Sequence, residues 1–421
     1  MQDLPAPDSD LTRYRRLIEA ARIVNSTLDL NELLWLIAET GRINIGADRG
    51  TLYLIDGSRQ ELWSKVISDP ALSEIRLPVG KGIAGHVAAS GEILNISDAS
   101  SDPRFNPEFD RKSGYRTNTI LCMPLRNNSG TIIGVFQFLN KSEGRFTADD
   151  EHFIDALSVH AALAIQNARL LGQEREKLAL EKDLRAAQEV QMSLLPRQLP
   201  EVDHFRFAAR SVPAKEVGGD YFDCIQTGDH RCEFVIADVS GKGMPAALLA
   251  TMGKGVLYSQ AILNIDPALQ LKGSNRIIRH LFPAQSFITM MIALVDDADR
   301  SITVANAGHC LPLLYRSSAQ SIESIPVRGM ALNFSDEFSC GQEMIRMEAG
   351  DCVVLYSDGV TEARSGEDTF FEWEGLAGVI REFGHLGPSE LLETLLNRLT
   401  TFADGGDQSD DTTVIIIKCV S

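Results

Sequence analysis

Several things are scarce in this 421-residue chain. Its seven cysteines are odd in number, scattered and never spaced as CxxC, which excludes a disulfide framework and fits reduced thiols. Basic charge is short: the formal net charge is −18, so no extended basic face is available for nucleic acid or for an anionic membrane surface. No apolar run approaches the roughly 18 residues of a membrane span. The opening "MQDLPAPDSD" lacks the basic start and hydrophobic core of a signal peptide. The expectation is a cytoplasmic protein with neither membrane nor nucleic acid as partner. No repeat is evident. With 44% hydrophobic and 23% charged residues the composition is that of a folded protein, and the length favours two or three domains.

The pattern along the chain divides into three. Up to about Leu171 it reads as α+β. An amphipathic helix ("YRRLIEAARIVNSTLDLNELLWLIAET") precedes the alternating run "RGTLYLIDGS", Gly-rich turns and the apolar strands "ILCMPLR" and "IIGVFQFLN". A helix then starts near Thr147, a candidate cap with acids in the first turn. From Gly172 to Leu195 the Glu/Lys/Arg/Gln/Ala/Leu composition without proline suits one continuous helix. Leu180, Leu184, Ala187, Gln191 and Leu194 form a coiled-coil-like seam. Two readings stand, docking on the helix's own domain or pairing between subunits, and the second is favoured. Pro196 and Pro200 end the helix. From about 201 to 421, the strands "CEFVIAD", "FITMMIALVDD", "SITVANAGH", "DCVVLYSDG" and "DTTVIIIKCV" accompany the helices "PAALLATMGKGVLYSQA" and "SELLETLLNRLTTF". Such a pattern suggests a layered sandwich.

Four acidic clusters in the last section share a form. "EVGGDYFD" places Asp220 and Asp223 after paired glycines. Asp238 and Asp358 end apolar strands in "FVIADVSGKG" and "VVLYSDGVTEA", and Asp410 and Asp411 stand just before one in "QSDDTTVIII". A carboxylate at the tip of a buried strand loses hydration and needs a cation or several donors. Four such tips point to a shared site for hard divalent ions, Mg²⁺ or Mn²⁺, since the ligands are all oxygen. Two such ions would activate a water and clamp phosphate oxygens.

The motifs "DLRAAQEVQMSLLP", "EVGGDYFD", "ADVSGKGMPAAL", "NAGHCLPLL", "YSDGVTEA" and "DDTT", in this order, resemble the SpoIIE-like branch of the metal-dependent serine/threonine protein phosphatases. The resemblance covers about 180 to 420. It implies an αββα sandwich in which Asp220 holds one metal, Asp238 bridges both and Val239 offers its backbone carbonyl. Asp358 and Asp410 would hold the other metal, with Asp411 a further ligand. The catalytic set is then Asp220, Asp238, Asp358 and Asp410. The implied substrate is a phosphoserine or phosphothreonine on a partner protein, typically a STAS-type anti-sigma-factor antagonist. A catalytically inactive phosphoprotein-binding module of the same fold is the alternative.

Two decoys are set aside. "HCLPLLYR", with Arg316 six residues after Cys310, has the string of a cysteine phosphatase, but its bulky, proline-containing loop is unsuited to cradling a phosphate. A small, semi-buried apolar role is expected for Cys310, and His309 is expected to order a turn. "GGDYF" imitates a diguanylate cyclase motif without that family's upstream aspartate strand. Lys215 and Lys242 flank acidic clusters, either to meet the substrate phosphate or as solvated surface lysines.

The first section resembles a GAF domain, through "LPVGKGIAGHVAASGEILNISDASSDPRF", with Gly82, Ile83, Gly85 and Val87, and then "NKSEGRFTADDE". Asn140, Lys141, Phe146, Asp150 and Glu151 match the pattern of cyclic-nucleotide-binding GAF domains, in which a Lys–Asp pair braces the pocket. The resemblance implies a six-stranded sheet. Cyclic nucleotide, another small ligand or protein signal, and a dimerising module without ligand all remain open. Residues 15–171 are thus expected to be a GAF sensor, 172–200 a helical linker, and 201–421 the phosphatase. A homodimer would form through linker and sensor.

Overall fold

The computed structural model describes residues 7–24, 26–64, 74–366, 369–404 and 408–420. It divides into two compact units, residues 1–179 and 180–421.

The first unit contains α1 (Pro7–Val24), α2 (Leu30–Asn44), β1 (Ala47–Asp56), β2 (Glu61–Ser64), β3 (Ile75–Pro78), α3 (Gly82–Ser90), β4 (Leu94–Ile96), α4 (Glu108–Ser113), β5 (Ile120–Arg126), β6 (Ile132–Lys141) and the start of α5 (Ala148–Ser193). Its strands make one six-stranded sheet, ordered β3-β2-β1-β6-β5-β4. One face packs on α1, α2 and α5 through Leu33, Ile37, Phe136, Phe138, Ile154 and Ile165; the other buries Tyr53, Ile83, Val87, Ile120 and Val135. The start of α5 is a capping box. Asp150 accepts from the Thr147 backbone N–H at 2.8 Å, and the Thr147 hydroxyl accepts from the Asp150 N–H at 3.3 Å. The helix then runs for 46 residues to Ser193, so the sensor's last helix and the linker helix are one element. No proline or helix-ending glycine motif interrupts it.

The second unit continues with β7 (Phe205–Val212), β8 (Tyr221–Gly228), β9 (Arg231–Val239), α6 (Met244–Leu263), α7 (Pro267–Leu281), β10 (Ile288–Asp296), β11 (Ser301–Ala307), β12 (Leu313–Arg316), β13 (Ser321–Ser324), β14 (Gly341–Arg346), β15 (Cys352–Tyr356), α8 (Asp358–Thr361), α9 (Glu372–Phe383), α10 (Pro388–Phe402) and β16 (Thr412–Cys419). Two five-stranded antiparallel sheets result, ordered β14-β11-β10-β9-β8 and β13-β12-β15-β16-β7. They face each other across Phe205, Phe234, Ile236, Met291, Leu355, Ile415 and Ile417. Helices α6 and α7 cover the outer face of the first sheet, and α9 and α10 that of the second. The αββα sandwich is therefore present. Central strands are covered on both faces, which is why "TTVIIIKC" shows no polar alternation: every residue of β16 is buried. Lys418 is accommodated there because its ammonium donates to the Gly384 and Leu386 carbonyls.

Two expectations change. Helix α6 is, by length and composition alone, apolar enough to cross a membrane; in the fold its Ala246, Ala247, Ala250, Gly253 and Leu257 are buried. The linker seam also splits. Leu180 is 60% exposed, whereas Leu195, one residue past the seam, packs on the sandwich and Gln191 exchanges hydrogen bonds with Gly218. The C-terminal end of the seam thus docks on its own domain.

Candidate metal centre

Strand pairing builds the site. Tyr221 of β8 pairs with Ala237 of β9, so the next residues outward, Asp220 and Asp238, lie side by side at one end of the first sheet. In the second sheet Tyr356 pairs with Val414, and the Ser357 N–H reaches the Thr413 carbonyl at 3.0 Å. That pairing brings Asp358, at the start of α8, beside the Asp410–Asp411 turn. Both sheets therefore end in acids at one edge of the sandwich. Two glycines permit the approach. A Cβ on Gly359 would collide with the Asp411 carbonyl oxygen, and one on Gly218 with the Asp411 carboxylate.

The electrostatics fit a cation site. Burial, and then the neighbouring Asp238, hold Asp220 well above the usual carboxylate range. Burial raises Asp238 to about 7, with Asp358, Asp410 and Asp411 adding to it. Asp358 is raised by burial and then by Glu362 and Asp410. Acids this close resist ionising together, and positive charge among them relieves both costs. Asp220 is 7% exposed, and its buried Oδ2 has no hydrogen-bond partner. An orphaned buried carboxylate oxygen, a Val239 carbonyl 2.9 Å from where a Gly219 Cβ would sit, and all-oxygen donors together suit a hard divalent ion. Among the described residues, no three Asp, Glu, His or Cys side chains already stand as a closed cage. Lys242 and the Asp411 hydrogen bonds account for part of this: the Lys242 ammonium is 2.7 Å from Asp410 Oδ2, and Asp411 is turned to the backbone.

Asp411, expected as a further ligand, is held by backbone donors. Its Oδ1 accepts from the Ala214 N–H at 2.8 Å, and its Oδ2 from the Gly219 and Asp220 N–H groups at 2.7 and 3.3 Å. Both oxygens hold the 214–220 loop, a role that "DD" in the sequence does not distinguish from ligation. Asp223 also leaves the centre: it pairs with Lys254 at 2.7 Å, whose ammonium also reaches the Leu194 carbonyl. Lys254 went unnoticed in the sequence because nothing in an apolar helix pattern marks one lysine.

The cysteine-phosphatase decoy is resolved by position. Burial and the nearby Asp358, Asp238 and Asp220 push the Cys310 thiol up to about 12, so it stays protonated. Arg316 lies at the far end of β12, paired with Asp351 at 2.7 Å. His309 is buried and pushed down to about 4 by burial. Its Nδ1 meets the Thr289 hydroxyl at 2.9 Å, and Asn306 bridges its backbone. It orders the turn.

A family model described as Stage II sporulation protein E (SpoIIE) matches residues 228–420, and the GAF domain model matches residues 29–165. Phosphoserine phosphatase RsbU of Bacillus subtilis is 32% identical over 239 residues, which cover 57% of this chain and 70% of that protein. The chain belongs to the SpoIIE-type PP2C phosphatases. It is a serine/threonine phosphatase of that family, fitted with a GAF domain. The SiaA PP2C domain of Pseudomonas aeruginosa shares its fold at TM-score 0.51 and 19% identity, covering 58% of this chain and 98% of that domain. A dual 3′,5′-cyclic-AMP and -GMP phosphodiesterase 11A of Takifugu rubripes is 38% identical over 173 residues, covering 38% of this chain but 19% of its own length.

In the GAF unit the five motif residues make a brace. Lys141 Nζ is 2.8 Å from both Asp150 oxygens and also donates to the Ile45 carbonyl. Phe146 is buried beneath it, its ring centroid 6.0 Å from the ammonium. Asn140 accepts from the Asn118 and Thr119 N–H groups and donates to the Tyr115 hydroxyl at 2.9 Å. Glu151 accepts from Asn95 at 2.7 Å. None of the five lines a cavity of about 380 Å³ in this unit, whose walls include Arg49, Tyr53, Lys81, Phe105, Tyr115 and Gln137. Asn140 meets the cavity wall through its hydrogen bond to Tyr115.

Proposed function

We propose that this phosphatase is a two-metal phosphoserine/phosphothreonine hydrolase in which residues 15–171 sense a ligand, 172–200 link, and 201–421 carry the chemistry. The observation that carries the reading is the convergence of acids from both sheets on one edge, where burial and neighbouring acids raise the proton affinity of Asp220, Asp238 and Asp358. Asp238 would bridge two ions, Asp220 and the Val239 carbonyl would hold one, and Asp358 and Asp410 the other. When bound, a pair of Mn²⁺ or Mg²⁺ ions supplies Lewis acidity toward water and the phosphoryl oxygens. Asp411 keeps the Asp220 loop in place, and Gly218 and Gly359 let the two acidic turns close. Cys310, held protonated, takes no part in attack.

The substrate we assign is a phosphorylated STAS-type anti-sigma-factor antagonist, the family's typical target, met in the cytoplasm by a homodimer joined through α5 and the GAF unit. The exposed Leu178 and Leu180 on α5 support pairing above the docked end. For the sensor cavity we assign a cyclic nucleotide: Arg49 and Lys81 suit its phosphate, Tyr115 and Phe105 its base plane, and Gln137 a base edge. The test is phosphate release from a phosphoserine peptide with Mn²⁺, then with chelator. Asp238→Asn should abolish turnover while keeping the fold, and normal activity in that variant overturns the bridging role. Chelator-resistant activity overturns the metal reading, and metal-independent partner binding without turnover would favour the inactive module.

A further inference from the structure

Lys242 stands in the turn between β9 and α6, flanked by Gly241 and Gly243 at φ 104° and 77°. Those glycines hold a tight backbone in open surroundings, with no atom within 4 Å of where their Cβ atoms would be. The lysine side chain is 56% exposed, so packing does not fix it. Its ammonium nevertheless sits on the metal centre, 2.7 Å from Asp410 Oδ2 and 3.0 Å from the Ser409 carbonyl. Asp410, Asp411 and Asp358 all act on it. An ammonium and a divalent ion on the same carboxylate oxygen repel each other at contact distance, so they compete for it. Once ions neutralise the acids, the field that draws the lysine in is gone, and the strongest nearby anion is the substrate's phosphoryl group.

Resting on the two-metal reading, we propose that Lys242 is an exchangeable counter-ion of this centre: it holds Asp410 until a divalent ion takes that oxygen, then turns to the phosphoryl oxygens of the substrate. Lysine suits such an exchange because its ammonium is a compact charge with three donors on a flexible stem, whereas arginine would stay bidentate on the carboxylate. Lys242 is thus both a competitor of the metal and a phosphate-binding residue, and the two roles have separate readouts.

The experiment compares the full chain with Lys242→Met and Lys242→Arg. Mn²⁺ binding is titrated directly by electron paramagnetic resonance of the free ion, without substrate. Steady-state hydrolysis of a phosphoserine peptide and competitive inhibition by inorganic phosphate are measured at saturating Mn²⁺. Removing an exposed ion pair should tighten one Mn²⁺ site about two- to fivefold in Lys242→Met. The same variant should raise KM and the phosphate inhibition constant about tenfold with kcat nearly unchanged, as loss of uniform binding requires. Lys242→Arg, which stays on the Asp410 carboxylate, should neither tighten Mn²⁺ nor recover the phosphate affinity. Unchanged or weaker Mn²⁺ binding in Lys242→Met overturns the exchange, and unchanged KM and phosphate inhibition overturn the second role. A wild-type chain that binds no Mn²⁺ would instead remove the metal reading itself, a distinct failure.

Discussion

Asp411→Asn separates a ligand from a brace. In the structure its carboxylate caps three backbone N–H groups, of Ala214, Gly219 and Asp220, the closest at 2.7 Å. Asparagine keeps one acceptor oxygen and turns an amide NH₂ toward the other donors, so at least one short bond is lost and donor faces donor. A hydrogen bond to a charged group is worth about 1.5–3 kcal/mol. At about 1.4 kcal/mol per decade, misplacing Asp220 by that much slows turnover roughly ten- to hundredfold. Asp411→Ala, which leaves all three donors bare, should be worse and should lower the unfolding midpoint of the 180–421 unit. The assay pairs kcat on a phosphoserine peptide with Mn²⁺ stoichiometry by calorimetry. The expected result is impaired turnover with two ions still bound. A fall from two ions to one would make Asp411 a ligand, and unchanged kcat would show that the loop needs no brace; either refutes the reasoning.

Glu233, fully buried on β9, is raised from 4.5 to about 7 by burial, with Gln270 at 2.6 Å opposing the rise. Because the folded state holds this proton more tightly than the unfolded chain does, the contribution of Glu233 to stability is greatest below pH about 4.5. It declines toward pH 7, and the total cost is about 3 kcal/mol. In urea denaturation, Glu233→Gln should therefore gain most above pH 7 and little at pH 4.5; a gain independent of pH would contradict the assignment. For the sensor, Arg49 lies over the Tyr115 ring at 3.8 Å inside the cavity, so Arg49→Glu should weaken cyclic GMP or cyclic AMP binding at least tenfold in calorimetry. If the wild type gives no saturable heat with either nucleotide, the ligand class is wrong.

How much was legible in advance follows from the range of the signals. The strands "CEFVIAD", "DCVVLYSDG" and "DTTVIIIKCV" announce themselves because burial on both faces demands continuous apolar residues. The acids at their tips stand out because a desolvated charge is costly anywhere. Strands β13 and β14 were not foreseen, since four and six residues at a sheet edge, mostly exposed, carry no such demand. Helix α7 was missed because its buried face includes Gln270, Ser274 and Asn275, polar residues that mask the period. The Asn140-to-Glu151 motif was legible as a string, and the resemblance already implied a bracing Lys–Asp pair; which groups Asn140 and Glu151 hold was not.

The sequence by itself determined which side chains carry the charge, which strands must be buried and, through six ordered motifs, the family. Only the tertiary structure decided what each acid faces. Asp220 and Asp238 meet across one β-ladder, Asp358 and Asp410 arrive from the opposite sheet, and adjacent Asp411 turns away to the backbone. The reason is geometric. Residue type and burial are local properties that a pattern can record, whereas the direction of a carboxylate depends on register and on which N–H groups, up to about two hundred residues distant in sequence, reach it first.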